Sequence, residues 1–160
     1  VMTYLAKAFF DRTIKRSYLA LVWGDVKGEG GTVTGHIGRN LKDRKIMQVF
    51  PEGEHGKHAV THYTVVERFK YVTLVQCRLE TGRTHQIRVH MSAIRHPLVG
   101  DLTYGADPNL AEEIGVSRPW LHAQALEFTH PISGLPISVN ADYPRDLTDS
   151  LSRLSDAVLP

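Results

Sequence analysis

The chain has 160 residues, of which 42% are hydrophobic and 22% are charged. These proportions are ordinary for a folded globular domain and exclude an intrinsically disordered chain. Nineteen basic and seventeen acidic residues leave a net charge of only +2, so net charge alone does not predict a nucleic-acid partner. The length predicts one domain over residues 1–160, and no apolar run approaches the ~18 residues that a membrane span requires.

Charge distribution and cysteine content say more than the totals. Basic residues gather at Lys15 and Arg16, over residues 39–45 and over residues 83–95. A local positive face of this kind is sufficient to hold a polyanion. The single cysteine, Cys77, cannot form an internal disulfide, which is compatible with a reducing compartment. We expect a cytoplasmic, monomeric protein.

The first predicted elements are strands. Residues 17–24 form an apolar run, rich in strand formers and ended by glycine, which predicts a strand buried on both faces. A glycine-rich, polar stretch follows over residues 25–58, and short strands are expected at residues 32–37 and 46–50 within it.

An antiparallel pair is predicted next, at residues 61–69 and 73–80. In the second run Val75, Cys77 and Leu79 share one face and polar residues occupy the other, which is the period-two pattern of a half-buried strand.

After residues 81–82 the period changes to that of a helix. Ile87, Met91 and Ile94 form an apolar stripe, and a polar stripe faces it, made of His85, Arg88, Ser92 and Arg95. Pro97 is expected to end this helix.

Two further strands and one helix complete the prediction. The strands are expected at residues 121–128 and 137–141, and Leu147, Leu151 and Leu154 indicate an amphipathic C-terminal helix. The predicted fold class is α+β, a mainly antiparallel mixed sheet with flanking helices.

The most informative stretch is residues 79–91, Leu-Glu-Thr-Gly-Arg-Thr-His-Gln-Ile-Arg-Val-His-Met. It predicts a strand, a tight glycine turn and the start of a helix, whose free N–H groups and positive dipole end suit phosphate or carboxylate. Taken alone, an arginine- and histidine-rich helix is more often a surface helix with a solvated basic face.

The order of residues in this stretch resembles that of a known family. The run Thr-Gly-Arg-Thr-His-Gln-Ile-Arg-Val-His, followed by His-Pro-Leu-Val-Gly-Asp at residues 96–101 and by Tyr104-Gly105, resembles the signature of RluA/RluD-type pseudouridine synthases. Three further segments resemble that family in the same order, at residues 15–24, 57–63 and 121–131. Four ordered motifs are far more specific than one, and they favour this family over the surface-helix interpretation.

The resemblance implies the chemistry. A uridine in RNA is flipped from its stack, its N1–C1′ bond is broken, the uracil turns, and C5 is joined to C1′. An aspartate is the essential group, and no metal, nucleotide or organic cofactor takes part. The implied partner is structured RNA, with large-subunit ribosomal RNA first and transfer RNA as the nearest alternative.

The resemblance also implies site residues. Tyr18 matches the tyrosine that lies against the target base, whereas composition alone would favour a core tyrosine. Arg88 matches the arginine that pairs with the catalytic aspartate; the plainer alternative is a phosphate or surface contact. Five further residues are candidates for RNA binding: Lys15, Arg16, Arg83, His85 and Gln86. For the last three an architectural role is equally expected.

The chain departs from the family pattern at its beginning. The family motif His-Arg-Leu-Asp, which carries the catalytic aspartate, does not occur in these 160 residues, and Asp11, Asp25 and Asp101 do not stand in such a motif. A helix that the family places between Lys7 and Phe10 is also missing. We expect this polypeptide alone to be inactive. The alternative function is a non-catalytic RNA-binding or assembly module.

Other constellations are weaker. Nine histidines invite a metal-dependent hydrolase, but His85 and His90 do not share a helix face, and His58 and His62 lack a convincing third ligand. We therefore expect no metal. The basic residues between positions 39 and 45 can grip an RNA backbone or belong to a solvated loop.

Overall fold

The structure is a computed structural model that describes residues 15–156. The expectations for the first residues, including the absent aspartate motif and the missing helix between Lys7 and Phe10, lie outside this range. No helix among the described residues is long and apolar enough to cross a membrane.

Strands account for most of the regular structure. In the described range they are β1 (Lys15–Trp23), β2 (Gly30–Thr34), β3 (His36–Arg39), β4 (Met47–Phe50), β5 (Val60–Arg68), β6 (Val72–Leu79), β7 (Leu121–Thr129) and β8 (Pro136–Asn140). The helices are α1 (Gln86–Ala93), α2 (Pro108–Ile114) and α3 (Arg145–Asp156), and a 3₁₀ turn covers Leu102–Tyr104.

The strands form one large sheet and one small hairpin. The six-stranded sheet has the order β2-β5-β6-β1-β7-β8, and β3 pairs with β4 in a separate hairpin. Every one of these named pairs is antiparallel. The predicted fold class and the predicted antiparallel pair of residues 61–69 and 73–80 are confirmed.

Strand β1 lies in the middle of the sheet and is buried on both faces, as predicted. Leu19 and Leu21 pack with the residues of α2 and α3, whereas Ala20 and Val22 pack on the opposite face with α1. All four side chains are at most 6% exposed. Successive side chains of a strand point to opposite faces, so a continuous apolar run is what a strand covered by helices on both sides requires.

Helix α1 is also buried on two sides. Ile87 and Met91 pack against the large sheet, and Val89, on the opposite side of the helix, packs against Ile37 and Ala59 beside the β3–β4 hairpin. The surface-helix interpretation of this segment is therefore wrong. The flank that carries Arg88 is half-buried and remains accessible.

The end of α1 differs from the prediction. The helix ends at Ala93, before Ile94 and Pro97, because Arg95 adopts a left-handed conformation with φ 70°. The N–H of His96 donates to Met91 O and that of Arg95 to Ser92 O, at 2.9 and 3.0 Å. This is a Schellman motif, which satisfies the last carbonyl groups of the helix before Pro97 is reached.

Helix α2 was not predicted. Its start is marked by Asp107, whose side chain accepts from the N–H of Asn109, and by Pro108 at the first helical position. Gly115 ends it with φ 76°. Capping residues and a terminal glycine were present in the sequence, but seven residues are too few to establish a helical period.

Replacement of Arg95 by glycine should stabilise the protein. Glycine adopts positive φ without steric penalty, and the Arg95 side chain is exposed, so Arg95→Gly should raise the free energy of unfolding by roughly 0.5–1 kcal/mol. Urea denaturation measures this value. In the matched control, Ala93→Gly at an ordinary helical position should lower it by about 0.5–1 kcal/mol. A destabilised Arg95→Gly would contradict the left-handed end.

Candidate active site

A cavity of about 380 Å³ opens where the start of β1 and the end of β6 meet the first turn of α1. It gathers six of the seven residues predicted for the site; its lining is Arg16, Tyr18, Leu79, Gly82, Arg83, His85, Gln86, Ile87, Arg88 and Leu121. Lys15 is not brought there. It lines a different cavity together with residues of β7 and β8.

Two strand residues supply one wall of this cavity. Tyr18 is half-buried and packs against the core on the α1 side of the sheet, opposite Cys77 of β6. Arg16 lies two residues earlier, and its guanidinium covers Gly82, where an added Cβ would come within 2.9 Å of Nη1. A side chain at position 82 would therefore have to displace Arg16.

Arg88 is held by two groups at once. Its Nε and Nη2 donate to the two carboxylate oxygens of Asp101, at 2.8 and 3.0 Å, and its Cζ lies 5.0 Å from the ring centroid of Tyr104. The hydrogen bonds to Asp101 raise the pKa of Arg88 and keep it charged. A bidentate arginine–carboxylate pair fixes both the position and the plane of the guanidinium.

Asp101 owes its position to the turn that precedes it. Gly100 has φ 85°, and a Cβ there would lie 2.2 Å from the carbonyl oxygen of Arg118. The carbonyl oxygen of Asp101 accepts from the N–H groups of Tyr104 and Ala106. The side chain is 1% exposed. Sequence reasoning noted this residue within a motif but gave it no role.

His85 begins α1 in a left-handed conformation with φ 54° and is exposed at the cavity. Its Nδ1 lies 2.9 Å from the hydroxyl of Tyr104, which in turn accepts from the N–H of Met47 in β4. Burial lowers the pKa of His85, and the neighbouring charge of Arg88 lowers it further. The neutral imidazole is therefore the favoured form at this position.

Gln86 is almost fully buried at the edge of the cavity, and its hydrogen bonds run into the interior. Its Oε1 accepts from the Thr81 hydroxyl and the N–H of Arg83, and its Nε2 donates to Val60 O and Thr61 Oγ1. It is 3% exposed. A side-chain amide offers two donors and two acceptor positions, so these four bonds use its full capacity. Of the two roles expected for Gln86, these contacts favour the architectural one over RNA binding.

His90 extends the same buried network. Its Nδ1 lies 2.8 Å from Thr61 Oγ1, and its Nε2 lies 3.3 Å from the carbonyl oxygen of Gly35. A carbonyl can only accept, so Nε2 carries the hydrogen and Nδ1 accepts from the hydroxyl. Burial lowers the pKa of His90, and this effect exceeds the opposing one of the Gly35 bond.

Arg83 is partly exposed at the cavity, and its Nε donates to the carbonyl oxygen of His58, at 2.8 Å. This bond ties the loop before β5 to the turn before α1. In the described part of the chain, no group of three or more His, Cys, Asp or Glu side chains is arranged to hold a metal ion.

Comparison with known proteins identifies the family. The model of the RNA pseudouridylate synthase family matches residues 1–93, which is more than half of the chain. The chain belongs to the RNA pseudouridylate synthase family. The resemblance to its RluA/RluD-type members, inferred from the ordered motifs, is confirmed.

Curated relatives lie in the same family. The chain is 45% identical over 152 residues to an uncharacterised RNA pseudouridine synthase of Mycobacterium bovis, covering 95% of this chain and 48% of the relative. It is 44% identical over 163 residues to the ribosomal large subunit pseudouridine synthase D of Xylella fastidiosa, covering 96% and 48%. The chain thus spans about half the length of these relatives.

Solved structures of two human proteins agree with the family fold. RNA pseudouridylate synthase domain containing 1 superposes with a TM-score of 0.74 at 33% identity, over 87% of this chain and 58% of that one. The second protein, RNA pseudouridylate synthase domain containing 4, superposes with a TM-score of 0.77 over 96% of this chain and 67% of that one. Its 22% identity supports the fold alone.

The buried His90 should make stability depend on pH. Its pKa is lowered in the folded state, so between that value and about 6.5 the unfolded chain binds the extra proton. The free energy of unfolding should therefore fall as pH is lowered below about 6.5. Urea denaturation between pH 7.5 and 5 measures the slope.

His90→Gln should be less stable overall but show a smaller slope in that range. His58→Gln, which removes an exposed histidine, serves as the control for replacing a histidine by glutamine. An unchanged slope in His90→Gln would contradict the neutral, buried assignment.

Proposed function

We propose that the full-length protein is an RNA pseudouridine synthase that isomerises uridine to pseudouridine in structured RNA. The observation that carries this proposal is the cavity that brings Tyr18 and Arg88 together, 70 residues apart in sequence, beside Arg16 and Arg83. Its volume of about 380 Å³ falls in the range of small-molecule sites, roughly 300–1,000 Å³, and suits one extruded nucleobase.

Within this cavity Tyr18 offers the flat partner for the base. Its ring stands on a rigid central strand, so the base can stack without a rearrangement of the sheet. Arg88 supplies the cation that keeps the catalytic carboxylate ionised and oriented. With the carboxylate held in place, the N1–C1′ bond breaks, the uracil turns, and C5 bonds to C1′. The proton on C5 then leaves for solvent, and N1 gains a proton.

The rim of the cavity suits an RNA backbone. Arg16 and Arg83 bring positive charge to its wall, and the exposed Lys42, Arg44 and Lys45 lie on the β3–β4 hairpin, which packs on the other side of α1. Contacts to phosphate position a nucleic acid without reading its sequence. We assign these residues to backbone binding, and we keep Lys15, which lines a separate cavity with residues of β7 and β8, as a further candidate contact.

Large-subunit ribosomal RNA is the proposed substrate. Four relatives at 42–44% identity are named ribosomal large subunit pseudouridine synthase D, from Xylella, Xanthomonas, Vibrio and Zymomonas. Transfer RNA remains the second candidate. Incubation of the full-length protein with each RNA, followed by mapping of pseudouridine, distinguishes the two.

Turnover requires an aspartate that these 160 residues do not provide in the family motif. We propose that it comes from the rest of the full-length chain. A full-length sequence with the His-Arg-Leu-Asp motif supports the enzyme, whereas one without it favours the alternative, a non-catalytic RNA-binding module.

Arg88→Ala in the full-length protein should lower kcat by roughly 100- to 1,000-fold with little change in RNA affinity, because the lost charge acts on the carboxylate. Release of the C5 proton from labelled RNA measures turnover, and filter binding measures affinity. The control is Arg118→Ala, which removes another aspartate-paired arginine outside the cavity. Wild-type turnover in Arg88→Ala would make the assigned role wrong.

The 160-residue polypeptide alone should bind structured RNA but release no C5 proton, because the carboxylate is missing. The same two assays measure this directly, with the full-length protein as the positive control. Turnover by the isolated polypeptide would contradict the requirement for the family motif.

A further inference from the structure

The family resemblance assigns a role to Arg88 but none to the groups that hold it. We infer that Asp101 is a positioning residue for the proposed reaction: it fixes the guanidinium of Arg88 so that Nη1 is presented to the catalytic carboxylate. This inference rests on the proposed function and adds a residue to its machinery.

The first argument is the use of the guanidinium donors. Asp101 engages Nε and Nη2 of Arg88, and no hydrogen-bond partner of Nη1 is found within residues 15–156. The guanidinium has a rigid, planar arrangement of donors, so binding one edge determines where the remaining nitrogen points. Arg88 lines the cavity, and Nη1 is the nitrogen left for a ligand there.

The second argument is the enclosure of Asp101. The side chain is 1% exposed, and the preceding turn lies so close to the backbone of Arg118 that a Cβ at Gly100 would come within 2.2 Å of the Arg118 carbonyl oxygen. The ring of Tyr104 packs against the guanidinium of Arg88, with its centroid 5.0 Å from Cζ. A flexible arginine side chain is thereby confined before any substrate arrives, which reduces the entropy lost on reaching the reactive geometry.

The third argument is contrast within the same molecule. Arg118 and Asp146 also form a bidentate pair, at 2.9 and 3.1 Å, but Asp146 is 39% exposed and neither residue lines the cavity. That pair joins α3 to the loop before β7. Asp101, in contrast, is 1% exposed. An ion pair that only joins two elements does not require such burial, so the burial of Asp101 is consistent with a role in holding Arg88.

The test uses the full-length protein. Asp101→Asn keeps the size of the side chain but removes its charge and one acceptor. We expect kcat to fall roughly 10- to 100-fold while KM for RNA stays within about twofold, because orientation and not RNA contact is lost. Asp146→Asn, the matched control, should keep wild-type kcat. In the Arg88→Ala background Asp101→Asn should cause no further loss, because it acts through Arg88.

Wild-type kcat in Asp101→Asn, or an equal further loss in the Arg88→Ala background, would overturn the inference. Absence of turnover by the wild-type protein on either RNA would instead contradict the proposed function.

In that case, NMR of the arginine Nε–Hε group tests the positioning role of Asp101 without an activity measurement. The Arg88 signal should exchange slowly in wild type and in Asp146→Asn, and rapidly in Asp101→Asn. Slow exchange in Asp101→Asn would overturn the inference without any activity measurement.

Discussion

The structure depends on a helix that is buried on two opposite sides. Packing of α1 between the large sheet and the β3–β4 hairpin removes water from polar groups on its first turns. An unpaired buried polar group costs about 1–3 kcal/mol, so each must find a partner inside the protein. Gln86 and His90 meet this requirement through Thr61, whose hydroxyl contacts both side chains. The shared hydroxyl fixes α1 against β5, and this fixed helix positions Arg88.

Much of the fold follows from local patterns. The apolar run of β1, the alternation over the last residues of β6 and the leucine spacing of α3 are each visible within a single element. The burial of α1 on two sides does not follow from a local pattern. On the side that faces the β3–β4 hairpin, Val89 is a single apolar residue, and one residue cannot form an apolar stripe. The sequence likewise contains the capping residues of α2, but no period confirms them. Arg95 ends α1 at positive φ, a position where glycine would have given a readable signal.

The candidate site was predictable only as far as the resemblance reached. Tyr18 and Arg88 were assigned by position in the ordered motifs, and the structure adds that they line the same cavity. The pairing of Arg88 with Asp101 was not readable. It joins residues 13 positions apart across a helix end and a turn, and no periodicity relates them. For Gln86 the sequence left an architectural and an RNA-binding role equally open, and only the packing, which uses all of its hydrogen-bonding capacity, favours the architectural one.

The cavity is also linked mechanically to the hairpin that covers α1. Tyr104 accepts from Met47 in β4, contacts His85 Nδ1, and presents its ring to Arg88, while its carbonyl oxygen accepts from Ser92. His85 adopts positive φ, a conformation that persists only where surrounding contacts determine it. A shift of β4 must therefore move the hydroxyl of Tyr104 or break its bond to the hairpin. Because the same ring confines Arg88, the proposed contacts of the basic hairpin with RNA and the orientation of the guanidinium are not independent of each other.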